Sequence, residues 1–335
     1  MKTSAALAAA FLILMAPLAC NATSETASAS AGSATSPAAG SPSEANARAE
    51  AEAEAATVES GVEAGVEAAA PPAKVDATLG ADWTSWRGGD RMAKAESFEA
   101  PAEWPEELVT KYRVEVGTGH STPALVAGRL YVHARQGEEE TLLCLDATTG
   151  EEIWRDSITV PYEMDPTATE HGKGPKASVT HVETAAGGRV VTFGIDGALA
   201  CHDAATGKVV WRHLFKEGYP KPSPRYGVAL TPLVVDGTVI AHVGGDEKGS
   251  LAAFDLDTGE RQWAWEGDGP GYASPIVTEA GGKHQVITQT RSYAVGLSLA
   301  DGQLLWKMEY KTNFDQNSVT PIVHGDHLIL SGYHK

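Results

Sequence analysis

The chain has 335 residues and a formal net charge of −18, with 44 acidic and 26 basic side chains. Its length allows two ordinary domains or one large domain. The chain is acidic and has no stripe of basic side chains that could neutralise a phosphate backbone. We therefore do not expect nucleic acid as a partner.

The first 20 residues are typical of a secretory signal segment. Lys2 precedes an apolar run that ends at Met15, and small residues follow up to Cys20. The run is too short to be a membrane-spanning helix with normal flanks. Cys20 stands where a bacterial lipoprotein is acylated, so the sequence favours lipidation there over plain cleavage near Ala22. We therefore expect an exported protein in the periplasm, or one attached to the outer membrane through Cys20.

Residues 21–80 are predicted to form a disordered acidic linker. Ala, Ser, Glu and Gly dominate this segment, and it contains no aromatic residue. Such a composition cannot supply a buried core, so the segment is expected to remain a solvated tether.

From residue 81 to residue 335, one turn recurs four times. It reads "LDATTGEEIW", "HDAATGKVVW", "FDLDTGERQW" and "LSLADGQLLW". The Asp or Ser can accept hydrogen bonds from the backbone of the turn, and the glycine supplies the positive φ that a tight hairpin needs. The repeated positions are Gly150, Trp154, Gly207, Trp211, Gly259, Trp263, Gly302 and Trp306.

Each repeated turn is preceded by two apolar strands joined by a Gly-containing turn and by a third strand, and it is followed by the strand with the Trp. Each unit starts at a Thr or Ser, usually before Pro, and the second unit is taken to start near Thr180. Together these features predict four strands in about 45–55 residues, which is the period of a propeller blade. The predicted fold class is therefore an all-β propeller of four-stranded antiparallel blades. The repeated tryptophans are expected to pack between blades rather than to stack on a ligand.

The repeat resembles the pyrroloquinoline-quinone-like (PQQ-like) repeat family of β-propellers. The segment "DWTSWRGGDR" is similar to the opening of many secreted bacterial members. The family contains quinone-dependent enzymes and non-catalytic scaffolds, including the propeller lipoproteins of the outer-membrane β-barrel assembly machine. The resemblance therefore implies the fold more strongly than the chemistry.

About four and a half blades are predicted. The last unit, "NSVTPIVHGDHLILSGYHK", has two strands and no repeated turn. At the other end, "VTKYRVEV" reads as an outer strand with Tyr112 where a Trp usually stands, and in the family such a strand commonly completes the final blade. We therefore expect a C-terminally incomplete fragment of a seven- or eight-bladed ring, rather than a dimer of half rings.

The residues just before each unit are expected to meet on one face of the propeller, because loops at the same end of stacked blades lie close together. Two longer inserts, 162–176 and 216–227, lead into that face. The resulting candidates for a small-ligand or peptide site are His120, Ser121, His171, Lys176, Arg225, Tyr226, Tyr272 and Asn317. The alternative is that these polar groups only satisfy loop backbones.

The histidines and cysteines are expected to be structural. None of the 11 histidines lies in a metal-binding motif, so no metal site is predicted. Cys144 and Cys201 occupy matching places in neighbouring units. Because packed sheets lie about 10 Å apart, they are predicted to be buried free thiols.

Two functions remain open. The favoured one is an exported, non-catalytic scaffold without a cofactor, which binds an envelope protein or a small ligand on the loop face. The alternative, implied by the resemblance, is a PQQ- and calcium-dependent alcohol or sugar dehydrogenase. Such an enzyme needs carboxylate and amide oxygens for the cation and a stacking tryptophan for the quinone. The adjacent cysteine pair that such enzymes often show is missing from the sequence.

Overall fold

The computed structural model describes residues 82–95, 101–215 and 218–332. These residues belong to one compact unit. The predicted signal segment with Cys20 and the linker 21–80 lie outside the described residues. Within the described ranges, no helix is long and apolar enough to cross a membrane.

The described residues form four antiparallel sheets of four strands and one sheet of two strands. Blade 1 contains β1 (Ala124–Val126), β2 (Arg129–Gln136), β3 (Glu139–Asp146) and β4 (Glu152–Thr159). Blade 2 contains β5 (Thr180–Thr184), β6 (Gly187–Phe193), β7 (Ala198–Asp203) and β8 (Val209–Leu214). Blade 3 contains β9 (Leu233–Val235), β10 (Thr238–Gly244), β11 (Gly249–Asp255) and β12 (Arg261–Trp265). Blade 4 contains β13 (Ile276–Ala280), β14 (Lys283–Gln289), β15 (Tyr293–Ser298) and β16 (Leu304–Glu309), and a hairpin of β17 (Ile322–His324) and β18 (His327–Ile329) follows.

This architecture confirms the predicted all-β propeller. Within each blade, every strand pairs with the next one along the chain. The first strand of blade 2, β5, contacts the first strands β1 and β9 of the neighbouring blades, so these first strands lie nearest the propeller axis. The middle strands are buried along most of their length because neighbouring blades cover both faces of the sheet.

The repeated turn forms as its residue types predict. In blade 1, Asp146 Oδ1 accepts hydrogen bonds from the amides of Thr148 and Thr149 at 2.8 and 2.9 Å. Gly150 has a φ of 78°, a conformation that costs a residue with a side chain more than it costs glycine. Leu145 pairs with Glu152 and Cys144 pairs with Trp154, so the register shifts by one residue and the outer strand carries a bulge just after the turn. Both Cys144 and Cys201 are buried free thiols, as predicted.

The repeated tryptophans of the first three blades contact the following blade. The Trp154 ring lies against Gly207, where an added Cβ would come within 2.5 Å of the ring. Each indole N–H donates to a backbone oxygen of the next blade, as between Trp211 and Leu256 at 2.7 Å. Tyr112 takes the same place before blade 1, because its hydroxyl donates to the Ala147 carbonyl at 2.8 Å and its ring lies against the turn glycine.

Trp306 differs from the other repeated tryptophans. Its indole N–H donates to Gln285 Oε1 at 2.8 Å. The ring lies over Gly296. Both partners belong to blade 4 itself, so among the described residues Trp306 packs within its own blade.

A row of hydroxyl groups links the starts of the units. The amides of Thr122, Ser178, Thr231 and Ser274 each donate to the hydroxyl of the next residue in the row, which ends at Thr320, at 2.9–3.1 Å. This row explains why each unit begins with Ser or Thr. In the second unit the equivalent residue is Ser178, so the sequence alignment near Thr180 was wrong by two positions.

Residues 82–95 lie across the inner strands. Trp83 pairs with Leu125 of β1 through hydrogen bonds of 2.7 and 2.9 Å. The Arg91 guanidinium is buried and donates to the backbone carbonyls of Thr231, Pro232 and Pro275. Burial lowers the pKa of Arg91 to about 9. The segment therefore holds blades 3 and 4 together, a role that its sequence pattern did not reveal.

Candidate functional site

The candidate site lies at one end of the propeller. In an antiparallel four-stranded blade, the segment that joins the fourth strand to the next blade's first strand always lies at the same end. We call these segments the connectors and this end the loop face. The connectors surround a cavity of about 380 Å³, the axial cavity. It is lined by His120, Thr167, His171, Lys176, Tyr226, Ala229, Tyr272, Gln316 and Ser318.

Five of the eight sequence candidates line the axial cavity: His120, His171, Lys176, Tyr226 and Tyr272. The sequence repeat allowed these five residues to be predicted, since each lies in a connector whose place is fixed by the strand that follows. Thr167 and Gln316 were missed because the connectors vary in length and carry no repeated pattern of their own.

Lys176 supplies an ammonium group to the axial cavity. Its Nζ donates to the Tyr226 carbonyl oxygen at 2.6 Å, which ties the first insert to the second. Burial is the physical cause that lowers the pKa of Lys176. The side chain is half-buried, so part of its hydration is already lost.

The two cavity histidines are joined through the backbone. His120 Nε2 donates to the carbonyl oxygen of His171 at 2.9 Å, because a carbonyl can only accept. The His120 amide donates to Pro175 at 2.8 Å. His171 ends a short 3-10 helix, Pro166–His171, which Asp165 caps by accepting from the Thr167 amide at 2.9 Å. The first insert is thereby folded over the cavity.

Part of the wall of the axial cavity is aromatic. The rings of Tyr226 and Tyr272 lie with their centroids 6.0 Å apart. Burial, followed by the nearby charge of Asp246, raises the pKa of Tyr272 above its ordinary value. The phenol therefore stays protonated at neutral pH and presents a neutral, planar surface.

The structure places Arg225 beside the cavity rather than in its lining. Its Nε donates to Asp165 Oδ2 at 2.7 Å. Its guanidinium lies 5.4 Å from the Tyr226 ring centroid. Arg225 therefore joins the two inserts and positions Tyr226.

Asn317 and Ser121 also lie outside the cavity lining. Asn317 is fully buried, and its Nδ2 donates to Thr290 at 2.8 Å while its backbone oxygen accepts from Tyr272 at 2.9 Å. Asn317 thus joins its own connector to the connector that contains Tyr272 and to the turn between β14 and β15. The Ser121 hydroxyl is buried and has no hydrogen-bond partner within the described part of the chain.

A second cavity of about 400 Å³ lies between the two inserts, and we call it the side cavity. Its charged lining residues are three acidic and two basic side chains, a grouping that the sequence patterns did not predict. It is lined by Pro161, Tyr162, Glu163, Met164, Asp165, Asp196, Lys221, Pro222, Ser223, Pro224 and Arg225.

The axial cavity does not fit a quinone held by calcium. Calcium takes oxygen ligands, usually including carboxylates, and the residues that line this cavity include no Asp or Glu and no tryptophan. Across the described ranges, no group of three or more His, Cys, Asp or Glu side chains is arranged to hold a metal ion. The cavity instead combines an ammonium, two imidazoles, hydroxyl groups and an aromatic wall, which suits ligand binding.

The blades and their repeated turn define a β-propeller of PQQ-like repeats. A family model described as "Outer membrane protein assembly factor BamB" matches residues 80–172 and 171–335. The chain belongs to this family.

The curated relatives include both a dehydrogenase and an outer membrane protein assembly factor. The chain is 30% identical over 193 residues to a quinohemoprotein alcohol dehydrogenase of Comamonas testosteroni, covering 56% of this chain and 25% of the relative. It is 28% identical over 189 residues to outer membrane protein assembly factor BamB of Burkholderia pseudomallei (strain K96243), covering 56% of this chain and 43% of that protein. The chain thus spans less than half the length of either relative.

The solved structures that resemble this chain include the same dehydrogenase. The crystal structure of the Comamonas testosteroni enzyme matches with a TM-score of 0.43 and 23% identity, over 63% of this chain and 39% of that one. BamB from Moraxella catarrhalis matches with a TM-score of 0.40 and 16% identity, over 60% and 51%.

Proposed function

We propose that this protein is an exported, non-catalytic propeller that acts as a binding scaffold at the bacterial cell envelope. The loop face around the axial cavity would contact an envelope protein or a small ligand, and Cys20 would anchor the chain to the membrane. The observation that carries the proposal is the axial cavity itself, in which connectors from every blade place polar and aromatic side chains around one open space.

The chemistry of the site supports binding over catalysis. Lys176 and His120 are each tied to a backbone carbonyl, and Asn317 and Arg225 hold the connectors. These contacts make a preformed surface, which lowers the entropy cost of binding. Relatives named as outer membrane protein assembly factors support a partner in the envelope.

Site-specific photo-cross-linking in intact cells tests this proposal. Ser318 is an exposed residue of the cavity lining, and Thr148 is exposed in a repeated turn at the opposite end of blade 1. Each would be replaced by p-benzoylphenylalanine in the full chain. We expect a discrete product with an envelope protein or ligand from position 318 and none from position 148. Equal products from both positions, or none from 318, would contradict the proposal.

The quinone-dependent dehydrogenase is the second candidate, because a relative at 30% identity has that name. Saturating PQQ with Ca²⁺ should raise the melting temperature of a protein that binds them in its folded state. Under our proposal the melting temperature stays unchanged. A clear rise that a chelator reverses would favour the dehydrogenase.

A further inference from the structure

The axial cavity has the opposite electrostatic character to the rest of the protein. The chain has 44 acidic residues, yet none of the residues that line this cavity is acidic. Its ionisable groups other than tyrosine are Lys176, His120 and His171. The neighbouring side cavity is lined by three carboxylates, those of Glu163, Asp165 and Asp196, together with Lys221 and Arg225. The axial cavity has no carboxylate in its lining, so of the two cavities it is the one suited to a negative ligand.

The Lys176 ammonium lacks a counter-charge among the described residues. One of its three N–H groups donates to the Tyr226 carbonyl, which is neutral. No carboxylate lines the cavity around it, and burial lowers its pKa. A partly desolvated ammonium is stabilised by an anion, and a charge-assisted hydrogen bond is about twice as strong as a neutral one.

The other lining residues restrict the type of anion. A single ammonium matches a single negative charge. The lining contains no arginine, whose planar guanidinium is the usual partner of a phosphate dianion. The hydroxyl groups of Ser318 and Thr167 can donate further hydrogen bonds. The paired rings of Tyr226 and Tyr272 provide a flat apolar wall that can pack against carbon atoms.

We propose that the axial cavity is a carboxylate-binding site, in which Lys176 Nζ contacts the carboxylate and the Tyr226–Tyr272 wall packs against the apolar group that carries it. This inference rests on the proposed function, because it names the chemistry that the partner or ligand presents. The carboxylate can belong to the end of a polypeptide or to a small organic acid. The cavity volume of about 380 Å³ is sufficient for either.

Matched acids and amides test the inference with the purified full chain. The probes are benzoate against benzamide, and N-acetyl-Ala-Ala-Leu with a free against an amidated C-terminus, each titrated by calorimetry. We expect at least one acid to bind about tenfold or more tightly than its amide. Binding of benzoate alone identifies a small organic acid, and binding of the free peptide alone identifies a chain end. If neither acid binds better than its amide, the inference is wrong.

Two variants separate the site from general charge effects. Lys176→Gln should lose the preference for the acid, whereas Lys173→Gln, in the same insert but outside the cavity lining, should keep it. Because Lys176 also joins the two inserts, Ser318→Asp provides a second variant that adds a repelling charge at an exposed lining position. Its matched control is Thr148→Asp at the opposite end. Retention of the preference in both Lys176→Gln and Ser318→Asp would overturn the inference.

The outcome also distinguishes the two proposals. A cross-link from position 318 without any preference for acids would leave the scaffold function standing and remove only the carboxylate site. Absence of the cross-link together with carboxylate binding that Lys176→Gln abolishes would remove the protein-binding scaffold and leave a carboxylate site for a small ligand.

Discussion

The contact between blades 1 and 2 and the contact between blades 2 and 3 use the same backbone positions for opposite chemistry. We call them the first and the second blade contact. In the first, Asp156 lies 3.0 Å from His202 Nε2 and also pairs with Arg212. In the second, the equivalent positions hold His213 and Phe254, whose ring centroids are 5.3 Å apart.

The difference extends to the neighbouring side chains. Glu140 in the first blade contact is 2% exposed, and its Oε1 accepts from the Ile195 amide at 3.0 Å. In the second, Phe215 extends the aromatic group, with its ring 5.9 Å from that of Phe254. The repeat therefore determines the spacing of the blades, whereas the residues that fill the space can be ionic or aromatic. Only the ionic contact is expected to respond strongly to pH.

The largest effect on stability is expected from removing the indole ring of Trp211 from the second blade contact. Trp211 is 7% exposed, its indole donates to Leu256, and its ring lies over Gly259. Trp211→Ala should reduce the free energy of unfolding by about 3–5 kcal/mol, through lost burial and the cavity left behind. Trp154→Ala in the first blade contact should cost less, because Trp154 is only half-buried. Urea unfolding of both variants measures the comparison, and equal losses would contradict it.

A pH-dependent effect is expected at Glu140. Burial raises the pKa of this carboxyl to about 7 from 4.5, while the Ile195 amide and Arg135 act against the rise and Asp196 adds to it. A raised carboxyl pKa means that the folded state holds a proton that the unfolded state releases above pH 4.5. The contribution to stability is therefore full below that pH and is lost as pH rises through 7.

Glu140→Gln tests this sign. The unfolding free energy of the variant minus that of the unmodified protein should rise by about 1–3 kcal/mol from pH 5 to pH 8. The rise is expected because Glu140 ionises over this range and the amide does not. His133 opposes this trend at lower pH, since burial lowers its pKa to about 3 and stability is lost as pH falls from 6.5 towards 3. Unfolding of both proteins across the pH range measures the gap, and a constant gap would show that Glu140 does not titrate in this window.

A smaller loss is expected from breaking the ion pair of the first blade contact. Asp156→Asn would leave Arg212 and the buried His202 without their carboxylate partner. The Asp156 side chain is 24% exposed, so solvent weakens the interaction, and we expect a loss of about 1–2 kcal/mol. The loss from Asp156→Asn should depend on salt concentration because it removes an ion pair. His213→Gln in the second blade contact removes no ion pair, so its effect on stability should not depend on salt. A salt-independent loss for Asp156→Asn would point to packing instead of charge.

The sequence allowed the blades to be predicted because their geometry depends on a few residue types at fixed spacing. Gly150 and Trp154 show this, since one needs positive φ and the other needs a glycine opposite it in the next blade. The pair of Asp156 and His202 could not be predicted. These residues are 46 positions apart, and the same register positions carry aromatic groups one blade later.

The axial cavity was predictable for a similar reason, and only in part. His120 and Tyr272 each lie four residues before the start of a strand whose place is set by the repeat. Thr167 lies in a long insert whose fold depends on the capping of its 3-10 helix by Asp165. Asn317 is buried by hydrogen bonds with Tyr272, with Thr290 and with the nearby Tyr310 and Thr312, and no local pattern encodes such a combination of three segments.

The smallest effect is expected at an ion pair on the same strand as Asp156 but on its exposed side. Glu152 pairs with Arg155 three residues later, and their side chains are 36% and 48% exposed. Arg155 lowers the pKa of Glu152. Exposed pairs contribute little because water screens the charges and two long side chains must be ordered. Glu152→Gln should therefore leave the melting temperature unchanged within error at physiological salt. A loss as large as that of Asp156→Asn would mean that burial does not set the strength of ion pairs along β4.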